Sequence, residues 1–322
     1  MRQWMRQVMG LLFRATALLV LLGCGQEAAA PAASAPSEAP AEAKPEPPPE
    51  PKPTEPAITV SGVGFDKPES VLHDPEADVY LVSNVIGKAL EKDRKAFISR
   101  LGPDGEVQEL KWIEGGRDGV TLHAPKGMAL SGDALYVTDI DVVRVFDRKT
   151  GKPRKPIAIK DASSLNGISA APDGTLYVSD TGVEQWGPYV EPNGKDAVYR
   201  LSGDKAEALA RGKELGNPNG LAADASGVWV VNKPGELFRV EQGGSQGART
   251  KLPKGGLDGV VQTPAGLIIS SWDAKAVLRQ TDSGFETVLG GIAAPAGIGF
   301  DAKRGRLLIP NLNQHTLVIR PL

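Results

Sequence analysis

The sequence predicts an all-β fold, a six-bladed β-propeller whose last blade is closed by a strand from its N-terminal side. Three observations carry that expectation. A unit recurs six times between residues 58 and 322 at the spacing of one four-stranded blade. The 38 Gly and 26 Pro in 322 residues exceed what a helical bundle tolerates, and a single Cys allows neither an intramolecular disulfide nor a thiol zinc cluster. Hydrophobic residues, at 41%, suffice for a packed core. With 37 Lys+Arg against 39 Asp+Glu the formal net charge is -2, so no global positive field attracts nucleic acid.

Along the chain, residues 1–14 carry Arg2, Arg6 and Arg14 and no acid, and residues 15–23 follow as a short apolar run. That run is too short to span a bilayer and reads, over residues 1–23, as a signal peptide. It ends in Leu21-Leu22-Gly23-Cys24, which resembles the bacterial lipobox and makes Cys24 the expected lipidation site. The resemblance implies export and lipid anchoring to a bacterial membrane, on the periplasmic face or the cell surface. Residues 25–57 hold ten Pro, ten Ala and six Glu with no aromatic residue, too little apolar area to offset chain entropy. Residues 24–57 therefore read as lipidated Cys plus disordered tether, and residues 58–322 as the propeller. In polyproline II form, at about 3.1 Å per residue, such a tether reaches roughly 100 Å.

The repeating unit is a turn residue, a small anchor, an apolar strand, a hairpin, and a second apolar strand with a polar end. Its copies run from Pro68-Glu69-Ser70-Val71 to Tyr80-Leu81-Val82-Ser83-Asn84, and from Pro125-Lys126-Gly127-Met128 to Leu135-Tyr136-Val137-Thr138-Asp139. The third runs from Leu165-Asn166-Gly167-Ile168 to Asp180, and the fourth from Pro218-Asn219-Gly220-Leu221 to Asn232. The fifth runs from Leu257-Asp258-Gly259-Val260 to Ser271, and the sixth from Pro295-Ala296-Gly297-Ile298 to Asn311. Two further strand-like runs follow each pair, as in Phe97 to Leu101 and Val107 to Trp112. The sixth unit has only one, Thr316 to Ile319, and Ala57 to Val60 supplies the strand that closes the ring and removes open edges.

In such a blade the innermost strand starts at one rim of the channel and the second strand returns to it. One face then collects Glu69, Lys126, Asn166, Asn219, Asp258 and Ala296. The second-strand ends add Asn84, Asp139, Asp180, Asn232 and Asn311, with Asp141 and Asp273 close by. Two carboxylates and two amides on one axis are oxygen donors only, which suits a hard cation such as calcium, or magnesium or manganese. Lys126 leaves an alternative open, in which its ammonium neutralises Glu69 or Asp258 with no metal.

These residues carry a resemblance. Over residues 58–322 the repeats are similar to those of the regucalcin/gluconolactonase family, six-bladed propellers with a divalent metal in the channel, several of them lactone hydrolases. The resemblance implies a metal held by Glu69, Asn219 and Asp258, with Asn166 near substrate and metal-bound water. Ser164 departs from the pattern, because lactone-hydrolysing members place there an Arg that binds sugar hydroxyls; a sugar-acid lactone is not the expected substrate.

A catalytic site of this kind implies metal-assisted hydrolysis, with Asp258 as candidate base. His123, in the loop entering blade two, and His315, after Asn311, are candidate proton shuttles beside the bland reading of loop histidines. Lys126, Asn166, Asp139, Asp180, His123 and His315 thus make up the expected substrate-binding rim. His73, toward the opposite rim, receives no role. The insertion from Gly182 to Asp196 is expected to lid the mouth or to pack on its neighbour. No Gly-x-Ser-x-Gly, His-Glu-x-x-His or phosphate-loop motif is present. Three readings follow: a membrane-anchored metal-dependent lactonase or esterase acting on a small molecule in the channel, a binding propeller with a structural ion, or an NHL-like interaction propeller with no ion. The sequence leaves the oligomeric state open.

Overall fold

The computed structural model describes residues 55–187 and 189–322. The expectations for residues 1–54, Cys24 included, lie outside the described residues. Six four-stranded antiparallel sheets follow one another along the chain. Blade one consists of Pro68–Asp74, Val79–Asn84, Phe97–Leu101 and Val107–Glu114 in spatial as well as chain order. Blades two to five repeat that order. Among the described residues the one helical segment is a 3-10 turn, Lys213–Leu215, so no helix there is long and apolar enough to cross a membrane.

The second strand of each blade is the most buried, because neighbouring blades cover both of its faces. Val79–Asn84 and Leu176–Asp180 are buried at every position. That two-sided cover is why these strands read as unbroken Tyr-, Val- and Leu-rich runs and not as alternating ones. The hairpins between first and second strands use ordinary turn chemistry. In Pro172-Asp173-Gly174, Gly174 takes φ 87 and Asp173 Oδ1 accepts the Thr175 N–H at 2.8 Å.

The core is divided among the six seams between blades. Leu81, Ile98 and Ile113 of blade one pack on Leu122, Leu135 and Phe146 of blade two. Equivalent clusters fill the seams from two to three, three to four, four to five and five to six. The sixth joins Leu308, Leu317 and Ile319 of the last blade to Tyr80, Val82 and Leu101 of the first. Closure occurs as expected. Ile58–Val60 pairs antiparallel with Thr316–Pro321, matching Ile58 with Ile319 and Val60 with Leu317.

The insertion in blade three forms its own hairpin, Val183–Trp186 with Tyr189–Pro192. Val183 and Val190 reach the cavity at the channel mouth, while Trp186 and Tyr189 are exposed.

Candidate functional site

Each of the first five innermost strands breaks its pairing at one place, beside the small anchor. In blade one, Pro68 pairs with Asn84 and Ser70 with Ser83, which leaves Glu69 without a partner. The same shift falls between Pro125 and Met128, Leu165 and Ile168, Pro218 and Leu221, and Leu257 and Val260. A bulge takes a residue out of the ladder and re-aims its side chain. The residues so placed include Glu69, Lys126, Asn166, Asn219 and Asp258, and all five line one cavity of about 660 Å³ at a mouth of the channel. All but Lys126 also border a narrower space of about 190 Å³ between the innermost strands. They stand at the constriction, with Lys126 on the wide side.

Hydroxyl groups tie four of the blades to the next one. Ser83 Oγ donates to the Lys126 carbonyl at 2.9 Å, Thr138 Oγ1 to that of Asn166 at 2.5 Å, and Ser179 Oγ to that of Asn219 at 2.5 Å. Three of these second-strand hydroxyls, counting Ser270 in blade five, also accept the anchor N–H of their own blade: from Ser70 at 3.0 Å, Gly167 at 2.8 Å and Gly259 at 2.7 Å. The anchors are small because blades meet there backbone to backbone. A Cβ on Gly220 would lie 2.3 Å from the Asp258 carbonyl oxygen. Sequence reasoning missed the hydroxyls, although Ser or Thr one residue before the polar strand end recurs in four blades and was the available signal.

Glu69, Asn219 and Asp258 are each 7% exposed. Burial pushes the Glu69 carboxyl well above its usual range, and the charge of Asp258 adds to it, with Lys126 opposing. Burial pushes Asp258 up to about 7, against the opposing influence of Lys233, Trp272 and Lys126. Lys126 is lowered by burial, and the charges of Glu69, Asp139, Asp180 and Asp258 act the other way. Its ammonium donates to the Ala89 carbonyl at 3.2 Å and has no carboxylate within ion-pairing reach among the described residues. Lys126 therefore does not close an ion pair with either acid.

This donor set fits a hard cation. Among the described residues neither the Glu69 carboxylate nor the Asn219 carboxamide has a hydrogen-bond partner, which leaves oxygen donors on separate blades free at the constriction they line. Among the described residues the acids and histidines alone make no group of three, because the third donor here is an amide. Asn166 is oriented by its neighbour: Thr181 Oγ1 donates to the Pro218 carbonyl at 3.0 Å and so accepts from Asn166 Nδ2 at 3.1 Å. That leaves Asn166 Oδ1 for the cavity.

The other expected rim residues sit elsewhere. Asp139 Oδ1 accepts the N–H groups of His123 and Ala124, and its Oδ2 pairs with Arg144 at 2.8 Å. Asp180 accepts from the N–H groups of Ser163, Ser164 and Gly182 and from the Ser163 hydroxyl. Both carboxylates are fully buried and hold the loops entering their blades, and neither lines the cavity. His123 Nδ1 accepts the Arg94 N–H at 3.1 Å, and burial lowers its pKa. His315 Nδ1 accepts the Lys67 N–H at 3.0 Å at the edge of the mouth. Neither histidine lines the cavity. His73 lies at the other end of the channel, 3.4 Å from both Asp78 and Asp301.

The wall of the mouth follows a positional rule that sequence reasoning also missed. The residue after each polar strand end lines the cavity in five blades: Val85, Thr181, Lys233, Trp272 and Leu312. In blade two the equivalent Ile140 instead packs with Val85 and Ala124 beneath it.

No protein-family model matches the chain, and no curated protein matches its sequence. Solved structures share its fold. One, described as a candidate gluconolactonase, matches with TM-score 0.61 at 20% identity over 84% of this chain and 93% of its own. Another, a luciferin-regenerating enzyme, matches with TM-score 0.60 at 13% identity over 83% of this chain and 96% of its own. At these identities the likeness establishes the propeller fold.

Proposed function

We propose that this protein is a lipid-anchored, metal-dependent hydrolase of small lactones or esters, working at the Glu69–Asp258 mouth of its channel. The observation that carries the reading is the convergence of Glu69, Asn219 and Asp258, oxygen donors from three blades, at the floor of a cavity of about 660 Å³. That volume lies within the usual range for small-molecule sites. The gluconolactonase description of a structure with the same fold agrees with it. Anchoring rests on Cys24 in its lipobox-like setting and on the Pro-rich tether.

Glu69, Asn219 and Asp258 would hold the cation, calcium or else magnesium or manganese. When bound, it supplies Lewis-acid polarisation of a carbonyl oxygen and makes a water more acidic. Asp258 would take the proton of the water that attacks the carbonyl carbon and return it to the alkoxide oxygen that leaves as the acyl C–O bond breaks. Asn166 Oδ1, fixed through Thr181, orients that water or the substrate from a third blade. Lys126 Nζ, held at the Ala89 carbonyl, is placed to receive the carboxylate that ring opening releases.

Elemental analysis and calcium-dependent melting of the purified protein, for wild type and Glu69→Gln, test the cation. One ion per chain and a rise in Tm with calcium are expected for wild type only. Turnover on a panel of lactones and esters should vanish with chelator and in Asp258→Ala. An ion-free wild type would overturn the metal reading, and an ion with no turnover would leave a binding propeller.

A further inference from the structure

Much of the wall above the site is apolar. Val85, Leu90, Val183, Val190, Trp272 and Leu312 surround the cavity, and among the described residues no arginine lines it. At the position two before Asn166 stands Ser164, and it is 2% exposed. Beyond the floor residues the polar lining is Ser164, Thr181, Lys67, Lys233, Asp273 and Asn313. A substrate that carries hydroxyls around its ring would turn several of them toward side chains that offer no hydrogen bond, and each hydroxyl buried so is unfavourable.

We infer that the substrate is an amphiphile: a lactone or ester whose carbonyl reaches the Glu69–Asn219–Asp258 floor and whose hydrocarbon tail lies along this wall. The inference rests on the hydrolase reading for the fate of the carbonyl, and on the wall alone for the tail. Tail specificity comes from two places in the fold. Val85, Trp272 and Leu312 stand one past the second-strand ends, and Val183 and Val190 belong to the inserted hairpin. The hairpin therefore completes the apolar wall on the blade-three side, and its length in the sequence is explained by that task.

The test is a homologous series. γ-Lactones with alkyl tails of increasing length, with glucono-δ-lactone as the polyhydroxylated comparison, are assayed for kcat/KM. The matching 3-alkylcyclopentanones, in which CH2 replaces the ring oxygen and which cannot be hydrolysed, are titrated by calorimetry. Each methylene should raise both kcat/KM and affinity about three- to fourfold until the cavity is filled. Leu312→Ser and Val183→Ser should flatten that slope, whatever they do to the absolute rate. A flat profile in wild type, or preference for glucono-δ-lactone, overturns the inference while leaving the hydrolase reading intact. Ketone affinity that climbs with tail length in the absence of any turnover supports the ligand class and overturns hydrolysis.

Discussion

Asp258 and Glu69 share a problem that neither solves within the protein. Both carboxyls are buried, and both are driven toward the neutral form, Asp258 up to about 7. In the unfolded chain an Asp loses its proton near pH 4. Between about pH 4 and 7 the cation-free folded state therefore keeps protons that the unfolded state has released. By linkage its stability falls as pH rises through that window and levels off above it. A bound cation reverses the sign, because it favours the charged carboxylates and makes folding strongest once both are ionised. Melting curves from pH 4 to 8 with chelator should show declining Tm, and with saturating calcium the decline should disappear or invert. Identical profiles with and without calcium would remove these two acids from any cation site.

At the level of the strand, the bulges decide which side chains reach the channel, and the hydroxyls decide how firmly. The repeat, the small anchors and the ring from Glu69 to Asp258 were legible in the sequence because each rests on local patterning: turn residues, period and spacing. Asp139 and Asp180 were not, since their carboxylates answer backbone N–H groups of preceding loops, and the sequence does not display which N–H groups a loop leaves over. The hydroxyl links cross from one blade to the next and depend on a contact between residues some 40 apart, as in Ser179 to the Asn219 carbonyl. Removing that hydroxyl in Ser179→Ala strands one carbonyl and one N–H, at about 1–3 kcal/mol. It should also weaken calcium binding several-fold, because Asn219 loses its tie at the constriction. Ser179→Thr should restore both. Calorimetric titration of the two variants separates the effect on the site from the effect on the fold: a loss of stability with unchanged cation affinity would make the hydroxyl structural only.

At the scale of the ring, one seam differs from the other five in being closed by residues from opposite ends of the described chain. Tyr80 donates to Asp301 at 2.7 Å, and Arg304 bridges Asp301 and Asp78 at 2.9 and 2.8 Å. Above them, Ile58–Val60 covers Thr316–Pro321, whose Leu317 and Ile319 are buried in the last core. Glu69 belongs to one side of this seam, where the Gly297 N–H donates to its carbonyl at 2.7 Å. The site therefore depends on closure, since a ring that gapes here moves Glu69 away from Asp258. A chain beginning at Ser61 loses the burial of Val60 and the partial burial of Ile58, roughly 2–4 kcal/mol, and leaves an open strand edge that invites pairing with another molecule. For a domain of this size the Tm should fall by roughly 10 °C, calcium should no longer raise it, and concentration-dependent oligomers should appear in sedimentation. A peptide of residues 55–62 added in trans should recover part of the Tm and the calcium response together. Recovery of the Tm without the calcium response would separate closure from the site, and an unchanged Tm on truncation would show that the six seams hold without the strand.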